Sequence, residues 1–303
     1  FTFAGIVGNV INVRVFYRQG VTSDSATVAF FSLSLTDLLS CVTLAPKPAC
    51  HYLENYAAGT GNPFIDNCST LTTMPASYTH GILSKVTCWI TVYLSVERAV
   101  GVVFPLRVKR IFTVKITVAA IVIIYLVVVI AYLPLAANVS LVWIQDPNNN
   151  ATLKALNVLT PLGYIFTLVN GVFHSFVMTT VAMFIVTVST VATVTRLKAS
   201  VKWRDRVAGV NAASGSSSAA KGRGKRSAKS VDTVRMVLAI TSVYLVSLFC
   251  THVPSMATLA LPGMTIGGLN NYLYVVIYTI RFDFEAFNSS VHIFFYFRMS
   301  SRY

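Results

Sequence analysis

Eight ionisable residues stand within or beside long runs that otherwise carry almost no charge: Asp37, Lys47, His80, Lys85, His252, Arg281, Asp283 and Glu285. An ionised group away from water is costly unless it is paired. Such residues therefore bind a ligand or an ion, or neutralise one another. Lys47 or Lys85 with Asp283 or Glu285 would be internal pairs, and Lys47 and Arg281 could also snorkel sideways. Both readings stand at the level of sequence. Bond-making chemistry has no comparable footing: there is no Gly-rich phosphate loop, no His/Cys metal cluster and no nucleophile elbow. His51 and His174 are isolated. The chain is read as a binding protein and not as an enzyme.

The elements that must position these residues are unusual for a water-soluble chain. Hydrophobic residues make up 55% and charged residues 11%, against roughly 45–50% and 25% in soluble proteins. A helix crossing the hydrocarbon core needs about 20 mostly apolar residues. Seven such runs are expected, near 1–17, 26–50, 71–104, 112–135, 157–195, 233–261 and 271–297. The third and fifth are overlong and should extend into loops. Val118 to Leu135 is the clearest, with no charge at all.

Twenty of the 24 Lys and Arg residues fall on one side of this seven-span scheme. They include Arg98, Arg107, Lys109, Arg110 and Lys115, and a basic stretch from Arg196 to Arg235. Basic loops stay in the cytoplasm, which places the N-terminus outside and the C-terminus inside. The glycosylation sequons at Asn67, Asn138 and Asn150 fall on connections that this scheme makes external. Residues 207–231 turn to Ser, Ala and Gly with interspersed bases, and disorder is expected there. In a membrane protein that basic loop lies against anionic lipid and does not bind nucleic acid. The whole chain, 1–303, is read as one domain with both ends truncated.

Several motifs occur in order along these spans. Gly8-Asn9 lies in the first, and Leu33 with Asp37 in the second. Glu97-Arg98-Ala99, followed by Pro105-Leu106, ends the third. Leu248 to Pro254 lies in the sixth, and Asn288 to Tyr296 in the seventh. Together they resemble the signatures of rhodopsin-like (class A) G protein-coupled receptors. Departures are plain: Ala99 replaces a Tyr, Thr251 and His252 stand where Cys and Trp are usual, and His292-Ile293 replaces Asn-Pro. Within that family, Trp89 to Arg98 with Pro105 to Lys109 is similar to invertebrate FMRFamide-type peptide receptors and molluscan chemosensory receptors.

The resemblance implies an all-α, seven-transmembrane helix bundle in the plasma membrane. It implies a receptor that relays an extracellular peptide or small-molecule ligand to a heterotrimeric G protein. Membrane lipid would be its solvent. The alternatives are a transporter or channel, or a non-signalling seven-helix protein. Glu97, Arg98, Pro254 and Tyr296 would serve activation and coupling, with the sixth span pivoting at Pro254. Position 234 is Val where an acid would restrain Arg98, so raised basal activity is expected. The ionisable residues Lys47, His80, Lys85, His252, Arg281, Asp283 and Glu285 would serve the ligand.

Asp37, Thr87 and Asn288 match a sodium pocket, and no other cofactor is implied. His292 could make a pH-sensitive centre with Asp37 and Asn288, or the three could form a neutral hydrogen-bonded cluster. The family's usual disulfide ends in the loop at 136–158, which has no Cys here. Cys50 and Cys68 are then the two external cysteines, either paired with each other or free; Cys41, Cys88 and Cys250 are packing residues. His80 stands where monoamine receptors carry Asp, and Ala286 where opsins carry the retinal Lys, so neither ligand class is favoured.

Overall fold

The computed structural model describes residues 1–57, 62–146, 149–212, 241–253, 256–257, 260–261, 263–264 and 269–299. It opens with helix α1 (Thr2–Gln19), which Gly20 ends at φ 87° while its N–H bonds Tyr17. That left-handed backbone suits a residue without Cβ. Helix α2 (Ser25–Leu44) starts at Asp24, whose carboxylate accepts from the Thr27 amide and satisfies an otherwise orphaned donor. It runs through Ala45 into α3 (Pro46–Ala57). A short α4 (Pro63–Asp66) precedes α5 (Cys68–Val103), a single helix of 36 residues. The expected loop extension of the third span is therefore helix.

Helix α6 (Pro105–Ile111) leads into α7 (Val114–Ala137). Strands β1 (Val139–Asp146) and β2 (Asn149–Leu159) then pair antiparallel, from Val139 opposite Leu159 onward. This hairpin is a departure from an all-helical chain. Its cause is local: β-branched and apolar residues recur there without a helical stripe. It also moves the start of the fifth span from 157 to Pro161. Helix α8 (Pro161–Val169), capped by Thr160, continues through a π-helical segment at Asn170–Val177 into α9 (Met178–Ala212). Disorder was expected from 207, yet helix persists to Ala212, because the Ser/Gly-rich composition begins only at Ser214. The remainder of that loop lies outside the described residues. Helices α10 (Thr241–Val253) and α11 (Asn271–Met299) complete the described bundle.

Among the described residues, four helical runs are long and apolar enough to cross a membrane: Ser25–Tyr56, Cys68–Val103, Val114–Ala137 and Pro161–Ser200. Helix α7 shows what its solvent must be. It leaves Ile116, Val122, Ile123, Leu126, Val127, Ile130 and Leu133 exposed, a face that water would not tolerate and lipid accepts.

Helix α5 is the axle of the bundle. On one side Val86, Ile90 and Leu94 pack with Phe16, Val28, Ala29, Phe30 and Leu33 from α1 and α2, and with Ile121, Val128 and Tyr132 from α7. On the other, Cys88 and Val92 meet Ala182 and Val186 of α9 and Tyr244 and Leu248 of α10. Small residues let helices approach closely. A Cβ on Gly5 would sit 2.6 Å from Cys41 Sγ, and one on Gly8 3.3 Å from Ile293. Beside them, Asn9 donates to the carbonyls of Gly5 and Ser289, each at 2.9 Å, and so ties α1 to α11.

The end of the bundle that carries the hairpin is pinned twice. Cys50 in α3 and Cys68 at the start of α5 form a disulfide. Asn67 donates to the carbonyls of Pro63 (2.8 Å) and Leu153 (2.9 Å) and accepts from the Ala155 amide at 2.8 Å. Read as a glycan acceptor, Asn67 is 5% exposed, and both amide protons are committed. In the folded chain it is a structural clamp between α4 and β2. Asn138 is also engaged: it donates to Pro134 and accepts from Thr160. The Asn150 side chain lies outside the described residues.

Candidate ligand-binding site

A polar cavity lies where α2, α5, α10 and α11 converge. Its charged lining comes from Asp37 on α2, His80 and Lys85 on α5, and Glu285 on α11. Neutral polar groups fill the gaps, among them Ser40, Ser84, Ser247 and Thr251. Spacing along α5 brings His80, Ser84, Thr87 and Cys88 to one face, at intervals of three to four residues.

Three of these groups form one network. His80 contacts Glu285 through Nε2 at 2.5 Å and Ser40 through Nδ1 at 2.7 Å. A carboxylate only accepts, so Nε2 carries the proton in this contact. The other Glu285 oxygen accepts from Arg281 Nε at 3.1 Å, one helical turn away. Arg281 is 7% exposed. Its charge is thus met within the protein, as a buried cation requires.

Lys85 is bound differently. It is 9% exposed, and its ammonium donates to Thr179 on α9 at 2.7 Å. The pairing with Asp283 or Glu285 considered from sequence is not made. Asp283 is exposed on α11 and does not line the cavity, which removes it from the ligand set. A helix advances about 100° per residue, so Asp283 and Glu285 cannot share a face. Lys47 sits towards the hairpin end, donating to Ser77 at 3.0 Å with its ammonium 4.5 Å from the Phe282 ring centre. His252 also turns away: its ring stacks on Phe176 and reaches Thr180, while Thr251 faces the cavity.

Asp37, 1% exposed, accepts from Thr87 at 2.8 Å. Asn288 also lines the cavity, and its buried side-chain oxygen has no hydrogen-bond partner. The His292 side chain lies outside the described residues, so a triad with Asp37 and Asn288 is not drawn.

At the opposite end of α5, Glu97 is buried and accepts from Ser25. Among the described ion pairs none joins it to Arg98. Arg98 lies 6.0 Å over the Phe30 ring. Helix α11 carries Tyr296, but that side chain and Pro254 lie outside the described residues.

Apolar helices thus enclose a cavity lined by charged groups, and α5 carries Arg98 near its far end, over the Phe30 ring. The chain matches the family described as 7 transmembrane receptor (rhodopsin family) over residues 8–281, and it belongs to that family. It is a G protein-coupled receptor, a multi-pass membrane protein and not an enzyme. Sequence singled out six residues that line this cavity, His80, Lys85, Glu285, Asp37, Thr87 and Asn288. It missed Ser40, Thr179, Ser247 and Tyr244, which carry no charge to mark them.

Proposed function

We propose that this receptor sits in the plasma membrane with its N-terminus outside and relays a peptide or small chemosensory ligand to a heterotrimeric G protein. The supporting observation is that one rigid helix, α5, carries both His80 and Lys85 in the cavity and Arg98 near its far end. A ligand that prefers one packing of α5 against α10 and α11 shifts the population of states at Arg98. The basic loops at the Arg98 end support a cytoplasmic placement. The run from Trp89 to Arg98 supports kinship with invertebrate peptide and chemosensory receptors, and Asn150 remains as a glycan acceptor.

A sodium ion fits the donor set of Asp37, Thr87 and Asn288: one carboxylate, one hydroxyl and one carbonyl oxygen that is otherwise unpartnered. When bound, it supplies a positive charge beside Asp37.

The test is nucleotide exchange on purified G protein heterotrimers by the full chain in nanodiscs, with Arg98→Ala as control. Exchange above that control with at least one heterotrimer supports coupling. Exchange equal to it with every heterotrimer makes the chain a non-signalling member of its family.

A further inference from the structure

We infer that the ligand carries a carboxylate and that Lys85 is its counter-ion. This rests on the cavity being the ligand site and specifies the charge of what enters it.

The inference comes from accounting for each buried charge. Glu285 meets His80 through one oxygen and Arg281 through the other. Asp37 accepts from Thr87, two residues further along α5 from Lys85, which is about 3 Å of helix rise. Among the described residues no carboxylate oxygen lies within 4.0 Å of the Lys85 ammonium. Among the described residues its hydrogen-bond partner is the neutral Thr179 hydroxyl, 2.7 Å away.

An ammonium has three protons to donate. Thr179 takes one, and Lys85 faces the cavity with the others. At 9% exposure it is largely withdrawn from water. A charge so buried is costly until an anion meets it. A carboxylate is compact and accepts two hydrogen bonds from the ammonium side. Hydroxyls of Ser84 and Ser247, also in the lining, can donate to it as well. An amine would face Lys85 and be repelled. A small free acid and the C-terminal carboxylate of a short peptide each present such a group.

The experiment uses the full chain in nanodiscs and probes of known structure. One arm is a panel of aliphatic and aromatic monocarboxylic acids, each beside its primary amide. The other is a set of tetrapeptides with a free C-terminus, each beside its amidated twin. Thermal melting reports binding, and nucleotide exchange reports signalling. The expected result is stabilisation by at least one acid and none by its amide. The arm containing that acid identifies the source. Lys85→Met should weaken the acid by about thirtyfold or more, with Lys85→Arg recovering part of the loss.

Without ligand, Lys85→Met should melt no lower than wild type, because it removes an uncompensated charge. The comparison of acid with amide on the wild type holds even where the variant fails to fold. Amides that bind as well as acids, no acid that binds, or an unchanged affinity in a folded Lys85→Met would each overturn the inference. An acid that stabilises the chain without exchange on any heterotrimer sinks the signalling reading and leaves the anion site standing.

Discussion

Glu97 accepts a hydrogen bond from Ser25 at the start of α2 and leaves Arg98, its neighbour in sequence, without an acidic partner from that position. Replacing the acid therefore releases nothing. Glu97→Gln is expected to leave basal nucleotide exchange within about twofold of wild type, roughly 0.4 kcal/mol. Wild-type basal exchange should itself exceed that of Arg98→Ala, since position 234 offers Val and no acid. A severalfold rise in Glu97→Gln, on equal amounts of purified receptor, would restore the acid as a restraint.

Removing the carboxamide of Asn67 strands the Leu153 carbonyl and the Ala155 amide. A buried group left without its partner costs about 1–3 kcal/mol. Asn67→Ala should lower the melting temperature and speed amide exchange in residues 153–155. It should leave gel mobility unchanged after glycosidase treatment, whereas a band shift unique to wild type would show a sugar on Asn67.

Glu285→Ala leaves Arg281 buried with no carboxylate among the described residues. Breaking such a pair costs about 3–5 kcal/mol. Surface expression and melting temperature should fall together, and Arg281→Leu added to Glu285→Leu should restore much of the loss. Equal stability of the single and double variants would mean that the two residues are not coupled.

The approach of α1 to α2 gives a steric test. Gly5→Ala drives a methyl group into Cys41 Sγ, with Ser290 Oγ at 3.0 Å on its other side. Overpacking of this kind costs about 1–3 kcal/mol. Cys41→Ala in the same chain should recover most of it, because the sulfur is the nearest obstacle. Failure of the second change to rescue the first would place the strain elsewhere.

For the cation site, raising sodium at constant ionic strength should raise the melting temperature of wild type and leave Asp37→Asn unmoved, a linkage of binding to stability. Identical sodium responses in the two proteins would remove Asp37 from any such site.

Hydropathy and the placement of bases made the spans and several site residues legible, because both follow from chain composition alone. What stayed hidden depends on rotation and local register. Thr251 and His252 are one residue apart, yet one faces the cavity and the other stacks on Phe176. No hydropathy window resolves a turn of about 100° between neighbours. The bond from Lys85 to Thr179 joins residues 94 apart and has a neutral partner, so charge matching pointed to acids instead. The hairpin at 139–159 stayed hidden as well. Its pairing depends on the register of Val139 against Leu159, which one strand cannot reveal. The π-helical segment leaves no signal in a search for a 3.6-residue period.

The hairpin is fastened by a carboxamide, whereas sulfur closes only the α3–α5 corner. Dithiothreitol would open that corner and leave β1 and β2 seated. A thiol-rich environment thus loosens the α3–α5 corner without touching the bonds that Asn67 makes to β2.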